Sequence, residues 1–194
     1  MKTTFLSALL ITATLWINPA AAQMRIEGQT FEARTQVAGS ELQLNGVGLR
    51  AVAWLKAYAA GLYLTHKAQT SAQVFAAPGA KRLQLRMLQD VPAQEFVKAF
   101  NRGVARNTPD HEMPALQERM DRFDELITAV GKVKKGDVVN LDLLPGRGLV
   151  FSLNGVVRGS PIPGDDLSAA LLRIFIGDHP VDVALKAGLL GQRG

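Results

Sequence analysis

The sequence predicts an α+β domain in which an antiparallel sheet carries a layer of helices on one face. Three observations predict it. Short stretches of alternating apolar and polar residues recur at 81–89 and 137–158, the period of half-buried strands. Two stretches between them repeat apolar residues at helical spacing. Residues 137–158 carry a strong two-residue hairpin signal, Asn154-Gly155, and read as an antiparallel meander.

Taken in order, Met1-Lys2 supplies a positive start, 5–17 is an apolar run of secretory length, and Ala20-Ala21-Ala22 fits a cleavage site. We expect residues 1–22 to be a signal peptide and 23–194 to form one domain. The leader's run is too short for a spanning helix, and no cysteine follows it to carry a lipid anchor. Its brevity favours a bacterial source and hence the periplasm. Residues 24–31 read as a short strand and 32–41 as a polar connection. Leu42 and Leu44 lead into an Asn45-Gly46 turn, and Gly46 and Gly48 allow close backbone approach there. From Trp54 to Leu64 small residues alternate with large ones, which suits a buried strand. The 65–80 stretch reads as a loop with one helical turn.

Asp90 and Pro92 open a helix whose apolar face holds Phe96, Ala99, Phe100, Gly103 and Val104. A second helix starts at Pro114. Leu116, Met120, Phe123, Ile127 and Val130 repeat along it, and Gly131 fits its end. Residues 137–158 read as a meander, with turns at Pro145 to Gly148 and at Asn154-Gly155. Asp165 or Asp166 caps a helix bearing Leu167, Leu171, Ile174 and Phe175 up to Gly177. A last helix covers about 181–189.

Composition narrows the function. The chain has no cysteine, so its fold rests on packing even in an oxidising compartment. The formal charge of +5 falls to +4 without Lys2, with acids interspersed. No basic block is present, which disfavours nucleic acid, and no basic amphipathic helix supports membrane-surface binding. His66, His111 and His179 are scattered, so no metal site is expected. Gly46-Val-Gly48 lacks the third glycine of a dinucleotide loop, and no cofactor is expected. Asp178-His179 reads as a turn rather than an acid–imidazole pair.

One group stands out. Arg50 is the only charge between Asn45 and Val52, beside an apolar stretch whose other polar atoms belong to Lys56, Tyr58 and Tyr63. A guanidinium so placed needs an anion, a carbonyl or water. Its planar fork suits a carboxylate or an enolate-like oxygen. An internal acid such as Asp90 or Glu95 could equally be its partner.

Gly46-Val-Gly48-Leu49-Arg50 followed by Lys56-Ala-Tyr58-Ala-Ala-Gly61-Leu-Tyr63-Leu64 resembles the chalcone isomerase family, most closely its bacterial chalcone isomerase-like proteins. The resemblance continues through Val97 to Val104 and through Leu171 to Val181. It implies an open-faced β-sandwich, with a ligand cleft between a large antiparallel sheet and a layer of helices. In the plant enzymes the Arg matched by Arg50 holds an oxyanion during an intramolecular conjugate addition. Their strand Thr is replaced here by Tyr58, and a Tyr before the first helix by Glu95 or Phe96. An Asn of that helix is replaced by Arg102, and a ligand-contacting Thr by Ile174. These replacements argue against chalcone cyclisation. They resemble the fatty-acid-binding relatives, in which the same Arg and a Tyr of the following strand hold a carboxylate. The resemblance thus implies a non-catalytic protein that binds a small apolar or amphipathic anion, a fatty acid or a phenolic. Arg50 and Tyr58 would hold the head, and Trp54, Leu62, Phe100, Ile174 and Phe175 would line the tail. An intramolecular lyase acting on another substrate, with Arg50 catalytic, and an envelope assembly factor with a vestigial cleft are the alternatives.

Overall fold

Strict alternation sorts the apolar side chains of this chain onto one side of a sheet and most of the polar ones onto the other. The computed structural model describes residues 23–192, so the expected signal peptide, 1–22, lies outside the described residues. In chain order the elements are β1 (Met24–Ile26), β2 (Gln29–Phe31), β3 (Arg34–Val37), β4 (Ser40–Val52), β5 (Leu55–Leu64), α1 (Ser71–Ala76), β6 (Lys81–Met87), β7 (Val91–Pro92), α2 (Ala93–Asn107) and α3 (Met113–Thr128). They continue with β8 (Lys132–Val133), β9 (Val138–Leu144), β10 (Gly148–Leu153), β11 (Val156–Val157), α4 (Asp165–Ile176) and α5 (Val183–Leu189). The main sheet has seven antiparallel strands in the order β11-β10-β9-β6-β5-β4-β3. The expected α+β class and its helix-covered antiparallel sheet are what the structure shows.

Leu83, Leu85 and Met87 of β6, Val139, Leu141 and Leu143 of β9, and Phe151 of β10 form the helix-covered face, packed against α2, α3 and α4 in the larger core. The opposite face carries a smaller core of Phe31, Leu42, Leu44, Ala59 and Tyr63. Phe31, at the end of the β1–β2 hairpin, lies on Gly61, where a Cβ would come within 2.6 Å of its ring. That hairpin replaces the single strand expected at 24–31, because Glu27-Gly28 takes positive φ at both residues and folds the segment back. The expected polar connection likewise contains β3, which pairs with the start of β4.

Asn45-Gly46 is not a turn. β4 runs unbroken for 13 residues and passes this point as an irregularity in its pairing with β5. The Asn45 side chain is buried and donates to the Ala68 and Leu189 carbonyls at 2.8 Å, while its Oδ1 accepts from Ala68 N. Gly46 and Gly48 are glycines because α5 lies directly on them. A Cβ on Gly48 would sit 2.6 Å from the Leu185 carbonyl oxygen, and one on Gly46 would overlap the carbonyl of Gly188. Gly188 in turn leaves room for the Val47 carbonyl. The true turn lies at Ala53-Trp54, where Ala53 adopts φ +53°.

Asp90 does not cap α2. It pairs with Lys132 at 2.7 Å and accepts the Lys135 amide, which ties the β7 and β8 segments together. Pro92 occupies the cap position with no side-chain hydrogen bond. The 65–80 loop holds α1, closed by a capping box between Thr70 and Gln73. Neither Asp165 nor Asp166 is the cap of α4; they stand one and two residues past it, Gly164, in the first turn, where their charge suits the helix dipole.

Candidate functional site

The helix layer does not close fully on the sheet. Between them lies a cavity of about 240 Å³ whose wall is almost wholly apolar. Ala57, Leu85, Val139 and Phe151 form its floor, Phe96 and Phe100 of α2 and Phe123 and Ile127 of α3 its roof, and Ile174 and Phe175 of α4 its far side. Phe100 and Phe123 meet edge to face at 4.6 Å, locking α2 to α3 above the cavity. Arg50, Tyr58 and Glu95 are the ionisable residues on this wall, all at one end.

Arg50 and Tyr58 are directly paired neighbours on β4 and β5, so both side chains leave the sheet on the cavity side. Arg50 Nη1 donates to the Ala51 carbonyl at 2.8 Å and to Asp182 Oδ2 at 3.2 Å. Its Nε and Nη2 have no hydrogen-bond partner among the described residues, and the side chain keeps 23% of its surface exposed. The acid is therefore Asp182, not Asp90 or Glu95. Its other oxygen caps α5 by accepting from Leu185 N at 2.9 Å. The glycine contacts between β4 and α5 thus fix the carboxylate beside Arg50.

The Tyr58 hydroxyl has no hydrogen-bond partner among the described residues. Burial pushes its pKa well above the usual tyrosine value, against the opposing pull of Arg50, so it stays protonated and available as a donor. Glu95, on the first turn of α2, lies at the exposed rim of the cavity and pairs with Lys98 at 2.9 Å. The arrangement can offer an anion two guanidinium nitrogens and one hydroxyl at the mouth of an apolar cavity. Among the described residues no three His, Cys, Asp or Glu side chains gather as metal ligands.

Of the residues named from sequence, the structure brings Arg50, Tyr58, Phe100, Ile174 and Phe175 to this cavity. Ile174 closes against Gly103, which has no Cβ to hold it away. Trp54 does not line it: 89% exposed, it stands at the tip of the β4–β5 turn. Arg102 is exposed on α2 and does not line it either; Glu95, Phe96, Ala99 and Phe100 are the residues of that helix that reach the cavity. Leu62 is fully buried on the correct face but lies further along β5, within the solid part of the core. Asp182 and Val52 were missed. Asp182 had a readable signal, as the capping residue ahead of the last helix; nothing local tied it to an arginine 132 positions away.

Comparison with known proteins bears on this geometry. No curated protein sequence matches the chain. Among solved structures, it is similar to a fatty-acid-binding protein of Arabidopsis thaliana at 18% identity, with a TM-score of 0.68 over 87% of this chain and 96% of that one, a likeness of fold. The family model described as chalcone isomerase-like matches residues 23–191. With the match spanning the whole helix-covered sheet and its cavity, the chain belongs to the chalcone isomerase-like family.

Proposed function

We propose that this protein is a non-catalytic binder of a fatty acid or a similar apolar anion, exported by residues 1–22 and working in the periplasm. The observation that carries this reading is the pairing of an apolar cavity with an arginine that retains two free donors at its mouth. A hydrocarbon chain in the cavity would gain about 0.8 kcal/mol per buried methylene. The carboxylate would remain at the edge, shared between Arg50 and Tyr58. The structurally similar Arabidopsis thaliana protein is itself described as fatty-acid binding, which supports the reading.

The chemistry of the wall argues against catalysis. Proton transfer needs an acid or base aimed at the reacting atoms. Tyr58, with its raised pKa, stays protonated and cannot accept a proton, and Glu95 sits at the exposed rim in an ion pair with Lys98. Calorimetric titration of the chain from Gln23 with dodecanoate and hexadecanoate tests the proposal. Saturable binding of one fatty acid per chain is expected, with no enzyme-dependent loss of chalcone absorbance. Absence of binding to either acid would sink it, and chalcone turnover would move the protein to the intramolecular lyases. N-terminal sequencing of the exported protein should begin at Gln23.

A further inference from the structure

The tip that carries Trp54 has a place relative to the cavity. Val52, Trp54 and Leu55 are all exposed at the β4–β5 turn, and so is Val183, the first residue of α5, next to the Asp182 that pairs with Arg50. Val52 also lines the cavity, so the exposed apolar surface is continuous with the cavity mouth. The β6–β7 and β8–β9 connections come to the same end of the sheet: Leu88 N donates to the Ala57 carbonyl and Gly136 N to that of Met87. They bring exposed Lys134 and Lys135 there. The other cations of this end, Arg50, Lys56, Lys98 and Lys132, each have a carboxylate partner, whereas Lys134 and Lys135 have no ion-pair partner among the described residues.

We propose that this end docks on an anionic lipid bilayer, with Trp54 seated at the headgroup–acyl boundary and Lys134 and Lys135 against the lipid phosphates. Four observations fit a bilayer. An indole favours that boundary, where its ring is buried and its N–H stays wet. The apolar residues form a projecting tip rather than a flat face with matching contours, which suits a fluid partner. Beside the tip, Lys134 and Lys135 outweigh the one carboxylate of their connection, Asp137, which is bonded to the Lys134 amide and the Asn154 side chain, and the positive balance is complementary to anionic headgroups. The tip also opens into the cavity, so docking would aim the mouth at the source of a lipid-derived ligand. Only this last consequence, exchange of ligand with the bilayer, rests on the fatty-acid reading; docking itself does not.

The experiment uses the chain from Gln23, which contains every described element of the fold and in which Trp54 is the sole tryptophan. The leader is left out because its apolar run would bind membranes by itself. Vesicles of phosphatidylethanolamine and phosphatidylglycerol are compared with vesicles of phosphatidylcholine. We expect co-sedimentation with the anionic vesicles, a blue shift of Trp54 emission and quenching by lipid-borne quenchers. Partitioning should fall about tenfold in Trp54→Ser and similarly in the Val52→Ser/Leu55→Ser pair. Lys134→Ser and Lys135→Ser should each cost roughly fivefold, on anionic vesicles only. All the substituted positions are exposed, and circular dichroism melts should be unchanged. Dodecanoate affinity measured without vesicles should be the same in Trp54→Ser and wild type, so a failure of docking and a failure of the cavity reading are told apart. No sedimentation, or sedimentation untouched by Trp54→Ser, overturns the proposal. So does a blue shift that grows with protein concentration in the absence of lipid, which would give the tip to a second copy of the chain.

Discussion

Arg50 and Arg82 leave the same sheet on opposite faces and live in opposite electrostatic conditions. Arg82 grips Asp142 with two nitrogens at 2.6 and 2.7 Å and gives a third bond to Thr35 at 3.0 Å, so the whole fork is satisfied from within. Beside it Gln84, Asn140 and Ser152 form a buried cross-strand chain of hydrogen bonds. Arg50 spends a single nitrogen on a longer ion pair and leaves the rest of the fork open. A saturated arginine organises a fold, whereas one with idle donors at the edge of an apolar cavity is placed to meet something from outside.

The sharpest way to break this contrast is to remove each arginine in turn. Arg82→Ala would strand Asp142, itself 8% exposed, and should destabilise the protein by about 3–5 kcal/mol without altering the ligand affinity of the folded fraction. A large drop in thermal midpoint together with unchanged titration isotherms is the expected result. Arg50→Ala should do the reverse. It should weaken fatty-acid binding by about 2–5 kcal/mol while shifting the melt little, and Arg50→Lys should recover only part, lacking the planar fork. If Arg50→Ala instead collapses the melt and leaves affinity intact, the two arginines are the same kind of residue and the contrast fails.

Tyr58→Phe sharpens the comparison further. It removes one neutral donor to a charged acceptor, and the isotherm should weaken by about 1.5–3 kcal/mol with stability unchanged. The smallest effect concerns a half-buried acid on α3, Asp124. Asp124 accepts from Asn101 at 2.6 Å, and burial raises its pKa. A raised folded-state pKa means its contribution is full at pH values below the ordinary carboxylate pKa and lost as pH climbs through the raised one. Asp124→Asn removes the half-buried charge and can donate to the unpartnered Asn101 Oδ1, so it should stabilise by about 0.5–1 kcal/mol at neutral pH. The gain should vanish in acid, as paired melts at both pH values would show.

Which parts of this were legible beforehand follows from the range over which each signal acts. Alternation in β6, β9 and β10 and helical spacing in α2, α3 and α4 are local, and those elements stand where the sequence predicts them. The Asn45-Gly46 pair misled because the same dipeptide serves a turn or an irregular strand position. The choice was made by α5, which needs two glycines beneath it some 140 residues along the chain. Trp54 misled because size alternation continues through the tip of a hairpin as readily as through a buried strand. Arg50 was readable alone, as a charge beside an apolar run, whereas Tyr58 stood level with Tyr63 until the family resemblance singled it out. Asp182 was not, because its contact exists only once α5 has settled on β4.

The seam of Gly46, Gly48 and Gly188 has a kinetic consequence for the cavity mouth. By holding α5 down it keeps one carboxylate beside Arg50, so under the proposed function an incoming anion would meet a guanidinium already partly neutralised. Such a site binds less tightly than a bare arginine in the same pocket, and it also releases sooner, since the departing anion leaves no naked buried charge behind. Dwell time at the mouth is thus set by backbone fit between a strand and a helix. A single added methyl at position 188 would lift the helix, carry Asp182 away from Arg50 and lengthen it.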